Sequence, residues 1–304
     1  MTTRVLIALV ALVLAVAPAA HAADPKDELR VAIPWTPENL DPTMNLSSIR
    51  AQVGVSLFDS LVGRDAENWM IYLGLNAFKK PLSDVRVRQA LNYATDVDAI
   101  VKNVLEGNGR RAPGPLTPHM FGYDPSVKGY PSDPVKARRL LAETGYPDGL
   151  EITLDAPEGR YQGDKEIAEA LAGQWQRAGF KPKVQVAEWG AYFKRYLAKQ
   201  FSDAYLLGLG GPMQDGDELF NLVSSKGRGL YYKNEKVDML FDAGRSTMDP
   251  ARRRKIYSDL ARAMVEDATW VFLMQQVDIY AMRDRVEWTP RPDQWMLLHR
   301  ATLK

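Results

Sequence analysis

No cysteine occurs in the 304 residues. That excludes disulfides, thiol nucleophiles, thiolate metal sites and a lipidated cysteine at a processed N-terminus. Histidine is nearly as scarce. His21, His119 and His299 stand far apart and form no His-x-x-x-His or similar pair, so a zinc centre lacks its usual ligand pattern. No excess of one charge exists either. Lys and Arg number 39 against 38 Asp and Glu, which gives no global attraction to nucleic acid or to an anionic membrane. Neither a Gly-x-Ser-x-Gly elbow nor a Walker pattern appears. Beyond the first residues, no apolar run is long enough to cross a bilayer.

What is present begins with MTTRVLIALVALVLAVAPAAHA: one basic residue, Arg4, an apolar run from Val5 to Ala17, then small residues ending Ala20-His21-Ala22. This layout predicts a secretory signal peptide, residues 1–22, cleaved after Ala22, with the bacterial periplasm as destination and no lipid anchor. The composition, 46% hydrophobic and 25% charged, is that of an ordinary globular chain with core enough for one large or two small domains.

Along the chain, LRVAIP (29–34) reads as a strand and WTPENLDPTMN (35–45) as a Pro-rich loop. Ser47 or Ser48 can cap a helix running to about Asp59, and IYLGLN (71–76) is the next strand. Between them, the polar stretch Arg64–Asn68 runs straight into apolar Met70–Leu75, and reads as a helix exit and a short turn. Ser83 and Asp96 are placed to cap two successive helices, the second stopped by Gly107. Residues 108–132, with five prolines and four glycines, are expected to form a long irregular loop. SDPVKARRLLAETG (132–145) and MDPARRRKIYSDLARAMVED (248–267) both open a helix with Asp-Pro. Between these, LEITLDA (150–156), a helix 165–178, KVQVAE (183–188), a helix 189–199 and AYLLGLG (204–210) alternate as β-α-β-α-β, which calls for an α/β layer with crossover helices. WVFLMQQVDIYAM (270–282) is a long strand.

Two loops invite a ligand. GLGGPM (208–213) follows a strand, but Met213 stands where a dinucleotide loop needs its last glycine, and Asp215, Asp217 and Glu218 would repel a phosphate. The loop still leaves the carboxyl end of a strand, where ligands of α/β sheets bind, and its glycines permit close approach. Its acids suit an amine or guanidinium; equally, Asp215 or Asp217 serves as the cap of the helix DELFNLV. The other loop is PWTPENLDP (34–42), where Trp35 offers a rigid aromatic wall for a cleft or packs on its own lobe. Trp189 and Tyr192, one turn apart at a helix start, read as core.

Taken together, IPWTPENLDP, LFDSLVGRD, YLGLN, KPLSDVRVRQALNYATDVDAIVKNVLEG, DPVKARRLLAETGYPDG and YYKNEKVDMLFDAGRSTMDPARRRKIYSDLARAMVEDATWVFL resemble the family 5 extracellular solute-binding proteins, the dipeptide-, oligopeptide- and nickel-binding receptors of ABC importers. The resemblance runs from about Leu29 to about residue 290. It implies an α/β, periplasmic-binding-protein-like fold of the type II two-lobed architecture, which captures a small solute between its lobes and delivers it to a permease in the inner membrane. No catalysis, no cofactor and no metal are implied, and a monomer is expected.

The resemblance also implies a departure. LFDSLVGRD and YLGLN lie far apart in the family, with about two hundred residues, the scale of a whole domain, between them. Here Asp65 and Met70 are almost adjacent. Lobe II (70–270) is then complete, while lobe I is reduced to a remnant (23–69) and the C-terminal return (271–304). Trp35, Asn39, Gly210, Gly211, Met213 and Asp215 are the expected ligand contacts, with Tyr72, Asn76 and Gln275 at the hinge crossings. Pro212 stands where the family's peptide binders carry the Asp that meets the peptide amine, and Asp215 is its nearest substitute. Two alternatives stand beside transport: a shortened, decayed or misassembled relative whose lobe II still folds, and a secreted enzyme.

Overall fold

The structure, a computed structural model, describes residues 60–210, 214–228, 231–283, 286–289 and 301–303. The leader, the strand and helix expected before residue 60, Trp35, Asn39, Gly211 and Met213 lie outside the described residues.

One mixed sheet organises the chain. Its strands are β1 (Ser60–Leu75), β2 (Gly109–Arg111), β3 (Leu150–Glu158), β4 (Phe180–Glu188), β5 (Ala204–Leu209) and β6 (Trp270–Arg283), in the order β2-β6-β1-β5-β3-β4. β3 pairs in parallel with β4 and with β5, while β1 is antiparallel to both β5 and β6. The β-α-β-α-β expectation therefore holds: α4 (Asp164–Arg177) links β3 to β4, and α5 (Trp189–Leu197) returns the chain to β5 on the other side of β3. A separate two-stranded ladder, β7 (Val286–Glu287) with β8 (Thr302–Leu303), follows.

Strand alternation divides the core in two, because successive side chains point to opposite faces. Ile71, Leu73 and Leu75 of β1, Leu206 of β5 and Val271 and Leu273 of β6 enter one cluster. It is completed by α1 (Val85–Tyr93), α2 (Val97–Asn103), α3 (Pro134–Glu143) and α4. Met70, Tyr72, Tyr205, Leu207, Trp270 and Phe272 enter the other, with α5, the short α6 (Phe220–Val223), α7 (Glu235–Ser246) and α8 (Pro250–Glu266). Tyr205 and Gly74 are register partners, and a Cβ on Gly74 would stand 2.0 Å from the Tyr205 ring, so only glycine fits beneath that tyrosine. Among the described residues no helix is long and apolar enough to cross a membrane.

Helix starts follow the capping signals closely. Asp96, Asp133 and Asp249 each accept an amide of the first turn, the last two ahead of Pro at the first helical position. One cap moves: Asp84, not Ser83, receives the Arg86 amide and opens α1. The long 108–132 loop is less irregular than expected, since β2 adds to the sheet beside β6.

The larger correction concerns residues 64–70. No turn separates the polar and apolar pieces; both belong to β1, which pairs with β6 from Ser60↔Arg283 to Gly74↔Trp270. The ladder breaks between Ala66 and Met70, where three residues of β1 stand against one of β6, a bulge within one strand. The boundary placed between residues 69 and 70 falls inside this strand.

Candidate functional site

The parallel strands β3, β4 and β5 all end at the same edge of the sheet. Beyond β3 the loop 159–163 carries Arg160 and Tyr161; β4 leads directly into Trp189, the first residue of α5; β5 leads to Gly210. β1 runs antiparallel to β5 with Met70 opposite Leu209, which brings Trp69 to the same edge. Ligands of open α/β sheets bind beyond these carboxyl ends.

At this edge a half-buried cation sits among aromatic rings. The Arg160 guanidinium carbon lies 4.9 Å from the Trp69 ring centroid, 5.0 Å from that of Trp189 and 5.2 Å from that of Tyr161. Tyr161 in turn packs 6.2 Å from each of the two tryptophans. Cation–π contacts of this kind gain strength as water is excluded. The glycines of β5 fit the same packing: a Cβ on Gly208 would meet Tyr161 at 2.7 Å, and one on Gly210 would meet Trp69 at 2.5 Å. The close approach expected at Gly210 is thus made by the protein's own Trp69. The Gly208 amide donates to the Tyr161 hydroxyl at 2.8 Å, and the Gln276 side chain donates to the Gln162 carbonyl at 3.2 Å, fastening the loop to β5 and β6. Glu188 accepts from the amides of Gly190 and Ala191, which cap α5 behind Trp189 and hold the Glu188 carboxyl below its ordinary value.

Of the residues expected at the site, Asp215 takes its capping role. It caps the 3-10 turn Gly216–Leu219 through the Asp217 amide, and both its oxygens engage Arg253 of α8 at 2.7 and 2.8 Å. Burial pushes its carboxyl up, but the bonds from Arg253 and the Asp217 amide outweigh this and leave it below the ordinary value. A folded-state value depressed in this way adds stability above the ordinary carboxylate range and loses it as pH falls. Arg253→Met is therefore expected to cost about 1–3 kcal/mol near neutrality. Urea denaturation at several pH values checks this: the gap to wild type should narrow as pH drops below the ordinary carboxylate range.

Gln275 lies at the site edge, opposite Met70 and Arg110. Tyr72 is buried inside the sheet, stacked on Trp270, and Asn76 follows the far end of β1, where its side chain donates to the Phe201 carbonyl. The three expected hinge residues are thus not brought together. Trp189 keeps the core contact expected of it, stacked on the fully buried Tyr192, and also faces Arg160. Sequence reasoning passed over Arg160, Tyr161 and Trp69. The available signal was the Gly-flanked GRYQG segment following a strand of the α/β layer. Among the described residues no group of three or more His, Asp or Glu side chains is placed to hold a metal ion.

Comparison with known proteins gives a consistent result. The sequence profile of "Bacterial extracellular solute-binding proteins, family 5 Middle" matches residues 36–230. The chain is 31% identical over 224 residues to heme-binding protein A of Haemophilus influenzae, covering 71% of this chain and 41% of that protein. It is 33% identical over 225 residues to the dipeptide-binding protein of Escherichia coli, covering 71% and 42% respectively. A dipeptide binding protein of Pseudoalteromonas sp. SM9913 in complex with Met-Leu superposes with a TM-score of 0.72 at 25% identity, covering 81% of this chain and 50% of that one. The chain thus spans about two-fifths to one half of the proteins it matches.

Proposed function

Because the chain belongs to the bacterial extracellular solute-binding proteins of family 5, we propose that it captures a small carboxylate-bearing solute of peptide type and presents it to an ABC permease. Export to the periplasm through the cleaved leader, and action as a monomer without cofactor, belong to the same proposal. The observation that carries it is Arg160, a cation framed by Trp69, Tyr161 and Trp189 at the carboxyl ends of the parallel strands. A guanidinium matches a carboxylate in geometry as well as charge, and the flanking rings supply apolar surface for side chains. Dipeptides and haem, the ligands named for two of the relatives, both carry carboxylates. Asp215, already held by Arg253, is assigned the lesser role of fixing the neighbouring loop. Trp35 and Asn39 remain proposed contacts from the facing side and Gly211 and Met213 from the loop after β5, and closure is assigned to the break in β1 between Ala66 and Met70, near Gln275.

The test is titration with Met-Leu and with its C-terminal amide while tryptophan fluorescence is followed, since Trp69 and Trp189 flank the cation. Met-Leu should bind, the amide should bind weakly, and Arg160→Ala should weaken Met-Leu by about tenfold to a hundredfold. Equal binding of acid and amide would sink the assignment of Arg160.

A second reading, that the protein folds but no longer delivers solute, is favoured by the short coverage of its relatives, because a reduced facing lobe buries less of any ligand. Thermal melting separates the two: a true ligand raises the midpoint increasingly with its concentration, and a panel of acids that leaves it unmoved supports loss of transport.

A further inference from the structure

The loop bearing Arg160 and Tyr161 is organised by one buried acid that takes no other part in the site. Asp164, the first residue of α4, is 4% exposed. One carboxylate oxygen accepts from the amides of Arg160 at 2.8 Å and Tyr161 at 3.0 Å. The other accepts from the amides of Lys165 at 3.0 Å and Gly159 at 3.4 Å. The Asp164 amide donates back to the Tyr161 carbonyl. Gly159 and Gly163, at φ +81° and +65°, let the chain curl around the carboxylate. The preceding residue, Gly163, has no side chain to cap α4, so Asp164 meets both the helix's first turn and the loop.

We propose that Asp164 is a positioning residue for the solute site: by gathering four backbone amides it fixes the loop from which Arg160 and Tyr161 reach the ligand. The inference rests on the reading of Arg160 as the solute's cation. A ligand cation on a loop is ordinarily ordered only on binding, at a cost in affinity; here the ordering is completed beforehand by a group that never touches the solute. The links from Tyr161 to Gly208 and from Gln162 to Gln276 then set the direction in which the fixed loop faces.

The experiment compares wild type, Asp164→Asn, Arg160→Ala and Val237→Ala. The last truncates the opposite core and serves as a control for lost stability. Asparagine keeps the shape but only one acceptor oxygen; Asp164→Ser, which also keeps an acceptor, takes its place if the Asn variant does not fold. Three quantities are read: hydrogen exchange of the amides at 159–161 and 165, affinity for Met-Leu, and thermal midpoint. In Asp164→Asn those amides should exchange about tenfold faster and Met-Leu affinity should fall about tenfold. Val237→Ala should lower the midpoint and leave both unchanged. The proposal is overturned if the loop amides of Asp164→Asn exchange at wild-type rates. It is equally overturned if Arg160→Ala weakens Met-Leu while Asp164→Asn binds as wild type does. Failure of the underlying solute reading looks different: Met-Leu then fails to bind wild type, or binds Arg160→Ala equally well.

Discussion

Asp267→Ala should destabilise the protein by about 3–5 kcal/mol, one of the two largest single-residue effects expected here. The reason is Arg88, whose side chain is only 5% exposed. Its guanidinium donates to one Asp267 carboxylate oxygen at 2.9 Å and to the carbonyls of Asp267, Ala268 and Leu82. The carbonyls satisfy its hydrogens, but only the carboxylate neutralises its charge. Removing that carboxylate leaves a buried cation, which is costlier than never having buried the pair. The other Asp267 oxygen accepts from the Tyr232 hydroxyl and the Asn234 side chain, so the same change also strands the tyrosine and loosens the start of α7. Urea denaturation checks the value: the midpoint should fall with little change in slope, and a loss under about 1 kcal/mol would mean that water reaches Arg88 in the folded state.

Trp270→Ala is the second large effect, at about 3–5 kcal/mol. Trp270 is 2% exposed and lies face to face with Tyr72, their ring centroids 3.7 Å apart and their planes within 15°. The two residues stand on neighbouring central strands, so truncation opens a cavity where neither backbone can close up without breaking its ladder. Trp270→Phe should recover most of the loss, because a smaller ring still covers Tyr72. Denaturation of the two variants side by side makes the comparison; equal losses would show that the indole's outer ring, not the stacked pair, carries the stability.

The elements that could be read from sequence are those whose signals are local. The Asp-Pro starts at residues 133 and 249, the cap at Asp96 and the glycine stop at 107 need no distant partner, and the structure bears them out. β4 starts three residues before the expected KVQVAE and takes in Pro182, which an edge strand tolerates. Residues 64–68 were read as a turn because nothing in their polarity signals a strand; they are extended because β6 pairs with them, a tertiary cause with no local trace. The candidate site was hidden for a similar reason. Arg160 sits in a loop without periodicity, and what marks it, the convergence of Trp69 from β1 and Trp189 from the start of α5, exists only once the sheet is formed. Asp215 was visible as an acid in a promising loop, but its engagement by Arg253, 38 residues away, was not.

The bulge in β1 has a consequence for how such a chain tolerates change in length. Between Ala66↔Val277 and Met70↔Gln275, β1 carries two residues more than β6, an even surplus. With a side-chain period of two, an even surplus leaves inside and outside unaltered on either flank. The strand is therefore already divided, at this point, into two ladders that keep their own registers. An even number of residues added or removed between 66 and 70 is absorbed as slack, and neither ladder has to be re-threaded. In that sense the position works as a socket: a place in the middle of a central strand where a large segment can be plugged in or withdrawn while the sheet on both sides stays wired as before.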